Sequence, residues 1–476
     1  MKKRFLKASS VLVAVALLAP AATAFAGEYT VEKGDCLWKI APNYNTNWQT
    51  LAEMNNLENP DLIFPGQVLV VPDLEEAQPS QPATEEPSEP AVEEPAAEVP
   101  AEVITPSEPA ESVEAPVEEA QLVSLGVADI SMTGTKLEPD FSPDVTEYTV
   151  NVQDDIYGVK VTPVCDEGST VTVDGNALNE DGTYVIPLSE EYESYGIDYS
   201  VDSVIKVDNG TSQKEYTIHI VRDNAADVYA LFEERSYTDE ETGLTLPYEL
   251  YVPSDYDASK DYPVVFVLHG AGQRLQSLDM LLKRYQSATI WAKDSEAGVN
   301  QCIVVSPQIT EEGGNGWTDF MIGYDNVGTP ENPYAMQDWT VAAHNLLQQV
   351  KQEYSVDENR IYVTGLSMGG FGSFALAAEY PDEFAAVVAV CGGLDPAKAA
   401  NLKDKVAVWF YHAKDDPAVS YDLYGATTLE ALDEAGVEYN ATIYEPGEVF
   451  YPSAHFAWTP AYADSEMRTW LFEQSK

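Results

Sequence analysis

The segment that most restricts the fold of this 476-residue chain is Gly365-Leu366-Ser367-Met368-Gly369-Gly370. It follows an apolar, strand-like run, Ile361–Thr364. After it, Phe371, Phe374, Ala375 and Ala378 recur at i, i+3, i+4 and i+7. The first pattern is that of a buried strand, the second that of a helix with one buried face. Only a sharp turn fits between them, and the glycines permit it. Such a strand–turn–helix lifts the serine hydroxyl clear of the backbone and aims the helix N-terminus at charge developing beside it. Ser367 is therefore the candidate nucleophile. The plainer reading, a glycine-rich turn that merely exposes a serine, sits poorly with a strand before it and a helix after it.

From about Ala226 onward, apolar runs alternate with helical stretches, the pattern of a mostly parallel α/β sheet. Strands are expected at Val264–Leu268, Cys302–Val305, Ile361–Thr364, Ala386–Val390, Val406–Phe410 and Ala441–Tyr444, with helices at Met336–Tyr354 and Phe371–Glu379. A serine nucleophile needs a base, and the base an orienting acid; in this architecture they follow in the order Ser, acid, His. After Val406–Tyr411 the chain reads His412-Ala-Lys-Asp415-Asp416-Pro-Ala-Val419. Many hydrolases read His-Gly-x-x-Asp-x-x-Val at this loop. Aligning His412 and Val419 selects Asp416, with Asp415 as the alternative. Only His455 lies farther on, in a loop after Ala441–Tyr444, and it is the candidate base. His412 precedes the acid and reads as structural, as does His344 within its helix. In Leu268-His269-Gly270-Ala271-Gly272 the amide of Ala271 is expected to join that of Met368 in an oxyanion hole, with His269 as a loop brace.

Nearly all of the segment from Tyr248 to the C-terminus resembles the α/β-hydrolase esterases. It is similar to those related to the polyhydroxybutyrate-depolymerase-like and feruloyl-esterase-like enzymes, a group that also carries peptidase labels. The matching stretches are Leu268–Gly272, Ser306-Pro-Gln308 with Trp317, Asn359–Gly372, Phe384-Ala-Ala386 with Cys391-Gly-Gly393, and His455-x-x-Trp458. Relatives often have Glu-Arg where Gln273-Arg274 stands, and Gly-His where Ala454-His455 stands. The resemblance implies ester hydrolysis through Ser367, His455 and Asp416, by way of an acyl-enzyme and with no metal or cofactor. Trp317 and Trp458 are either walls of the acyl pocket or ordinary core.

The N-terminal half carries no such cluster. Met1-Lys2-Lys3-Arg4, an apolar stretch around Val11–Leu18 and Ala24-Phe25-Ala26 have the order of a secretory signal, with cleavage expected after Ala26. No later run is long enough to span a bilayer. Residues 27–72 read as a small β-α-α-β unit resembling a LysM domain. The match runs through Tyr-Thr-Val-x-x-Gly-Asp-x-Leu-Trp-x-Ile-Ala and then Leu-Ile-Phe-Pro-Gly-Gln-Val-Leu-Val-Val-Pro. That resemblance implies binding of N-acetylglucosamine glycans such as peptidoglycan. The two loops concerned here carry Gly34, Asp35, Cys36 and Leu37, then Pro60, Asp61, Leu62 and Ile63. Trp38 and Ile40 read as core.

Residues 73–120 hold Pro, Glu, Ala, Ser and Val but neither Lys nor Arg, and read as a disordered spacer. At polyproline pitch they would span on the order of 150 Å. Residues 121–223 alternate in short runs, with Asp174-Gly175, Asp181-Gly182 and Asn209-Gly210 as hairpin turns. They resemble cadherin-like β-sandwich domains of bacterial surface proteins, from Leu137-x-Pro-x-Phe-Ser-Pro to Tyr216–Arg222. Asp154-Asp155 lack the ordered ligand set that calcium needs, and His219 reads as an edge histidine. Residues 224–476 complete the chain.

With 25 Lys and Arg against 80 Asp and Glu, the formal charge is −55. Phosphate backbones and anionic lipid heads would be repelled. The four cysteines lie far apart, without metal spacing, and the histidines are scattered. The expectation is a secreted, wall-associated serine ester hydrolase. The alternatives are a serine peptidase of prolyl-oligopeptidase type and a non-catalytic adhesin.

Overall fold

A computed structural model describes residues 26–31, 40, 44, 51, 54, 55, 68–72, 119–188, 200–223 and 225–476. The expected signal peptide and spacer lie almost wholly outside these residues. So do all eight glycan-loop residues: Gly34, Asp35, Cys36, Leu37, Pro60, Asp61, Leu62 and Ile63. The chain divides into two compact units, residues 1–110 and 111–476. Among the described residues, no helix is long and apolar enough to cross a membrane.

In the first unit β1 (Ala26–Thr30) pairs antiparallel with β2 (Val68–Pro72). Val31, Ile40, Leu51, Leu69 and Val71 are buried together, so Ile40 is core as expected. The Asn55 carboxamide bonds both backbone groups of Val70 and the carbonyl of Leu51, tying β2 to the segment before it.

The second unit begins with a two-sheet sandwich. Its strands are β3 (Leu122–Ala128), β4 (Glu147–Val152), β5 (Gly158–Cys165), β6 (Thr170–Val173), β7 (Asn176–Ala177), β8 (Tyr184–Pro187), β9 (Ser200–Asp208) and β10 (Gln213–Arg222). The sheet orders are β4-β10-β9-β6-β7 and β3-β5-β8. Alternating Tyr216, Ile218 and Ile220 of β10 face the core with Val159 and Val161 of β5, the inward set that a period of two dictates.

An eight-stranded sheet follows, of order β11-β12-β14-β13-β15-β16-β17-β18. Its strands are β11 (Phe232–Thr238), β12 (Thr245–Tyr251), β13 (Tyr262–Leu268), β14 (Ile303–Pro307), β15 (Val356–Leu366), β16 (Ala386–Val390), β17 (Ala407–Ala413) and β18 (Tyr439–Tyr444). β13 to β18 run parallel, while β11 and β12 are antiparallel additions at one edge. Every residue of β13 is buried because helices cover both faces. Val264, Phe266 and Leu268 face one side, with Leu346, Leu347 and Phe374 of the helices Asp338–Glu353 and Met368–Glu379. Val265 and Val267 face the other, with Trp291 and Tyr462. Burying each such side chain contributes roughly 1.5–3 kcal/mol. The chain is therefore multidomain: a small N-terminal module, a β-rich middle and a C-terminal α/β domain with a mostly parallel sheet.

Candidate active site

Ser367 sits at the carboxyl end of β15, where the strand turns into the helix Met368–Glu379. Its φ of 55° is left-handed, a conformation costly for a residue with a side chain and held here by surrounding structure. The Ser367 amide donates to the Val390 carbonyl at 2.8 Å. The turn is tight because helix and sheet touch through glycine. A Cβ on Gly369 would collide with the Leu268 carbonyl oxygen.

His455 Nε2 lies 2.9 Å from Ser367 Oγ, and His455 Nδ1 lies 2.7 Å from Asp416 Oδ2. Asp416 follows β17 and is nearly buried; its other oxygen accepts the amides of Ala418 and Val419 at 2.8 and 2.9 Å. Burial by itself pushes the Asp416 carboxyl up, but His455 and the Val419 amide outweigh it and hold it below its ordinary value. An ionised carboxylate only accepts, so Nδ1 carries the ring proton and Nε2 is left facing the serine hydroxyl. Asp415, by contrast, is exposed and accepts the Gly447 amide at 2.9 Å.

Gly270, next to Ala271 in sequence, abuts the serine, since a Cβ on Gly270 would lie 3.7 Å from Ser367 Cβ. The amides of Ala271 and Met368 thus belong to the two segments that flank Ser367. The Ala271 loop is braced in several places. The buried Gln273 carboxamide accepts the Gly270 amide at 3.1 Å and donates to the Met280 carbonyl. Arg274 forms a two-bonded pair with Asp325 and donates to the Asn315 carbonyl. His269 is a brace too: Nδ1 donates to the Gly270 carbonyl and Nε2 accepts the Ile309 amide. Burial pushes its pKa down to about 4, so it is neutral and its two nitrogens keep these opposite roles.

Of the two tryptophans left open between pocket and core, Trp317 is fully buried, and its indole N–H donates to the His269 carbonyl at 3.0 Å. It underpins the loop. Trp458 packs edge-on against His455 at 5.0 Å between ring centres. Its Nε1 is buried without a partner among the described residues. His412 is buried and donates to the Ala413 carbonyl, while His344 stacks on Tyr380 and pairs with Glu383. His412 lies near Asp416 and His455: burial first holds its ring below the ordinary value, and the Asp416 charge opposes that. His219 pairs with Asp202 on the sandwich.

The roles of two neighbours, both within stretches compared above, went unread in the sequence. Gln273 has a role only because its side chain folds back on Gly270. The buried Cys391 brings its thiol to the His455 carbonyl at 3.5 Å, and burial, then the Asp416 charge, hold that thiol protonated. Cys391, Asp416 and His455 form the one set of potential metal ligands that converges among the described residues. Two of its members are already bonded to each other. Cys165, Cys302 and Cys391 are free thiols.

Comparison with known proteins follows the same divisions. Residues 240–448 match the Esterase family model, 29–72 the LysM model and 124–223 the cadherin-like β-sandwich model. Among curated proteins, poly(3-hydroxyalkanoate) depolymerase C of Paucimonas lemoignei is 28% identical over 37% of this chain and 38% of its own. Feruloyl esterase C of Emericella nidulans is 28% identical over 38% of this chain and 58% of its own. The bifunctional acetylxylan esterase/xylanase of Neocallimastix patriciarum is 26% identical over 38% of this chain and 23% of its own. The chain thus spans less than two thirds of the length of each of these relatives. A crystal structure of a thermostable esterase aligns over 69% of this chain and 99% of its own, at 25% identity and a TM-score of 0.50. In order along the sequence, this chain matches the LysM, cadherin-like β-sandwich and esterase families.

Proposed function

We propose that the chain is a serine carboxylic ester hydrolase, exported and held at a glycan surface such as peptidoglycan by its LysM segment. The reading rests on one observation above all, the hydrogen-bonded line from Asp416 through His455 to Ser367. In it, His455 Nε2 takes the proton from Ser367 Oγ as that oxygen bonds to the ester carbonyl carbon. The carbonyl oxygen becomes an oxyanion facing the amides of Ala271 and Met368. Asp416, kept ionised, balances the imidazolium. The proton then passes to the leaving alkoxide as the C–O bond breaks, giving an acyl-enzyme and an alcohol. Water, deprotonated by His455, attacks the acyl carbon, and the acid leaves as Ser367 regains its proton.

The domain boundaries 1–26, 27–72, 73–120, 121–223 and 224–476 belong to this proposal. So does glycan contact through Gly34–Leu37 and Pro60–Ile63. Esters on a polysaccharide suit an enzyme tethered beside glycan. The test is turnover of short-chain p-nitrophenyl esters by the purified protein beside Ser367→Ala, with chromogenic peptides in parallel. Ester turnover lost in the variant supports the reading. Cleavage of peptides alone, or turnover that survives the substitution, overturns it.

A further inference from the structure

The segment that carries His455 is seated on the sandwich. Phe450 and Phe456, on either side of the histidine, both pack against the sandwich core. Tyr157, buried just before β5, meets Phe456 edge to face at 5.6 Å, and its hydroxyl donates to the Arg284 carbonyl at 2.6 Å. Phe456 packs on Trp458 at 4.5 Å, and Trp458 packs on the His455 ring at 5.0 Å. Gly158 leaves room for Tyr451, whose Cδ1 would lie 2.8 Å from any Cβ placed there. Lys160 of β5 lies 3.9 Å from the centre of the Phe450 ring.

We propose that the sandwich is a working part of the hydrolase: Tyr157 and Gly158 position the 450–456 segment, and through it the His455 imidazole. The inference rests on the ester-hydrolase reading for its kinetic consequence, but its geometry stands on contacts alone. The segment is also held from the α/β domain, in whose core Val449, Ala454 and Ala457 are buried. The Cys391 thiol reaches the His455 carbonyl at 3.5 Å, and Ser453 Oγ accepts the His455 amide at 3.3 Å. Base catalysis needs Nε2 within about 2.6–3.2 Å of the serine oxygen. A misplacement of about 1 Å costs up to about 100-fold in rate. Tyr157 is a positioning residue in this scheme, acting through Phe456 and Trp458.

The experiment compares Tyr157→Ala and Tyr157→Phe with the wild type in the full chain, with Ser367→Ala and His455→Ala as controls. Two quantities are read: kcat and KM on a p-nitrophenyl ester, and the low-field proton resonance of the His455–Asp416 hydrogen bond, assigned by its loss in His455→Ala. Tyr157→Ala is expected to lower kcat about 10- to 100-fold with KM nearly constant, and to shift or broaden the resonance. Tyr157→Phe, which keeps the ring, is expected to restore most of both. Gly158→Ala, which displaces Tyr451, tests the same seat should the first variant fail to fold, and is expected to give the same pattern. Unchanged kcat and resonance in a folded Tyr157→Ala or Gly158→Ala protein overturn the proposal and leave the sandwich a passive neighbour. If wild type and Ser367→Ala turn over ester alike, the ester-hydrolase reading fails, and the resonance alone still decides the positioning.

Discussion

Asp415 and Asp416 are adjacent in sequence and opposite in circumstance. Asp416 is nearly buried, holds His455 Nδ1 at 2.7 Å and has its second oxygen filled by two amides. Asp415 is exposed and holds only a loop amide. Asp416→Asn offers a carboxamide where the imidazole needs a charged acceptor, and favours the wrong ring tautomer. It is expected to lower kcat on the order of 10⁴-fold with KM little changed. Asp415→Asn is expected to stay close to wild type, as surface substitutions do. Steady-state kinetics on both variants decides, and equal losses would unseat Asp416. Spacing in the sequence points to Ser367 and His455, each at a fixed station after a strand, but leaves Asp415 beside Asp416, and only a loop pattern shared with other hydrolases prefers the second. Gln273 and Cys391 could not be found that way. Their contacts depend on a side chain folding back and on a strand end brought close by the sheet.

At the scale of elements, the expected strands and helices lie where the apolar runs put them, but their ends differ for physical reasons. The helix expected from Phe371 begins at Met368, because Gly369 and Gly370 look unhelical yet allow the helix to lie against the sheet. β15 starts at Val356 rather than Ile361, since its first turns of sequence are polar and partly exposed, and its register shifts there. Gly369 gives this a sign. Glycine to alanine within a helix ordinarily stabilises by roughly 0.5–1 kcal/mol. Here the new methyl would meet the Leu268 carbonyl, backbone against backbone, so Gly369→Ala is expected to destabilise by about 1–3 kcal/mol or more. A melting temperature lower by several degrees is the expected result; a rise would mean that the contact between helix and strand yields freely.

For the molecule as a whole, the joint between sandwich and α/β domain also carries a buried charge problem. Asp155 is buried there, accepts Gln286 Nε2 at 2.8 Å and sits beside Asp154, which pairs with Lys293 at 2.7 Å. Burial first, then the Asp154 charge, push its pKa up to about 8, with Asp129 adding to the rise and Lys293 opposing it. In the unfolded chain the same carboxyl ionises near its ordinary 3.8. The folded state therefore binds the extra proton between these values, and stability falls as pH rises from about 4 to about 8. Below the lower limit both states are protonated and the full stability is present. Other groups slope too: buried Glu249, raised to about 7 chiefly by burial, acts in the same direction, and His269, lowered to about 4, acts in the opposite one. Both are common to wild type and variant, so a difference isolates Asp155. Asp155→Asn keeps an oxygen for Gln286 and cannot ionise. Melting curves of the two proteins are expected to coincide near pH 4 and to part steadily toward pH 8, the variant being the more stable. Curves that run parallel across that range would mean that Asp155 is ionised within the folded joint, with Lys293 carrying both aspartates.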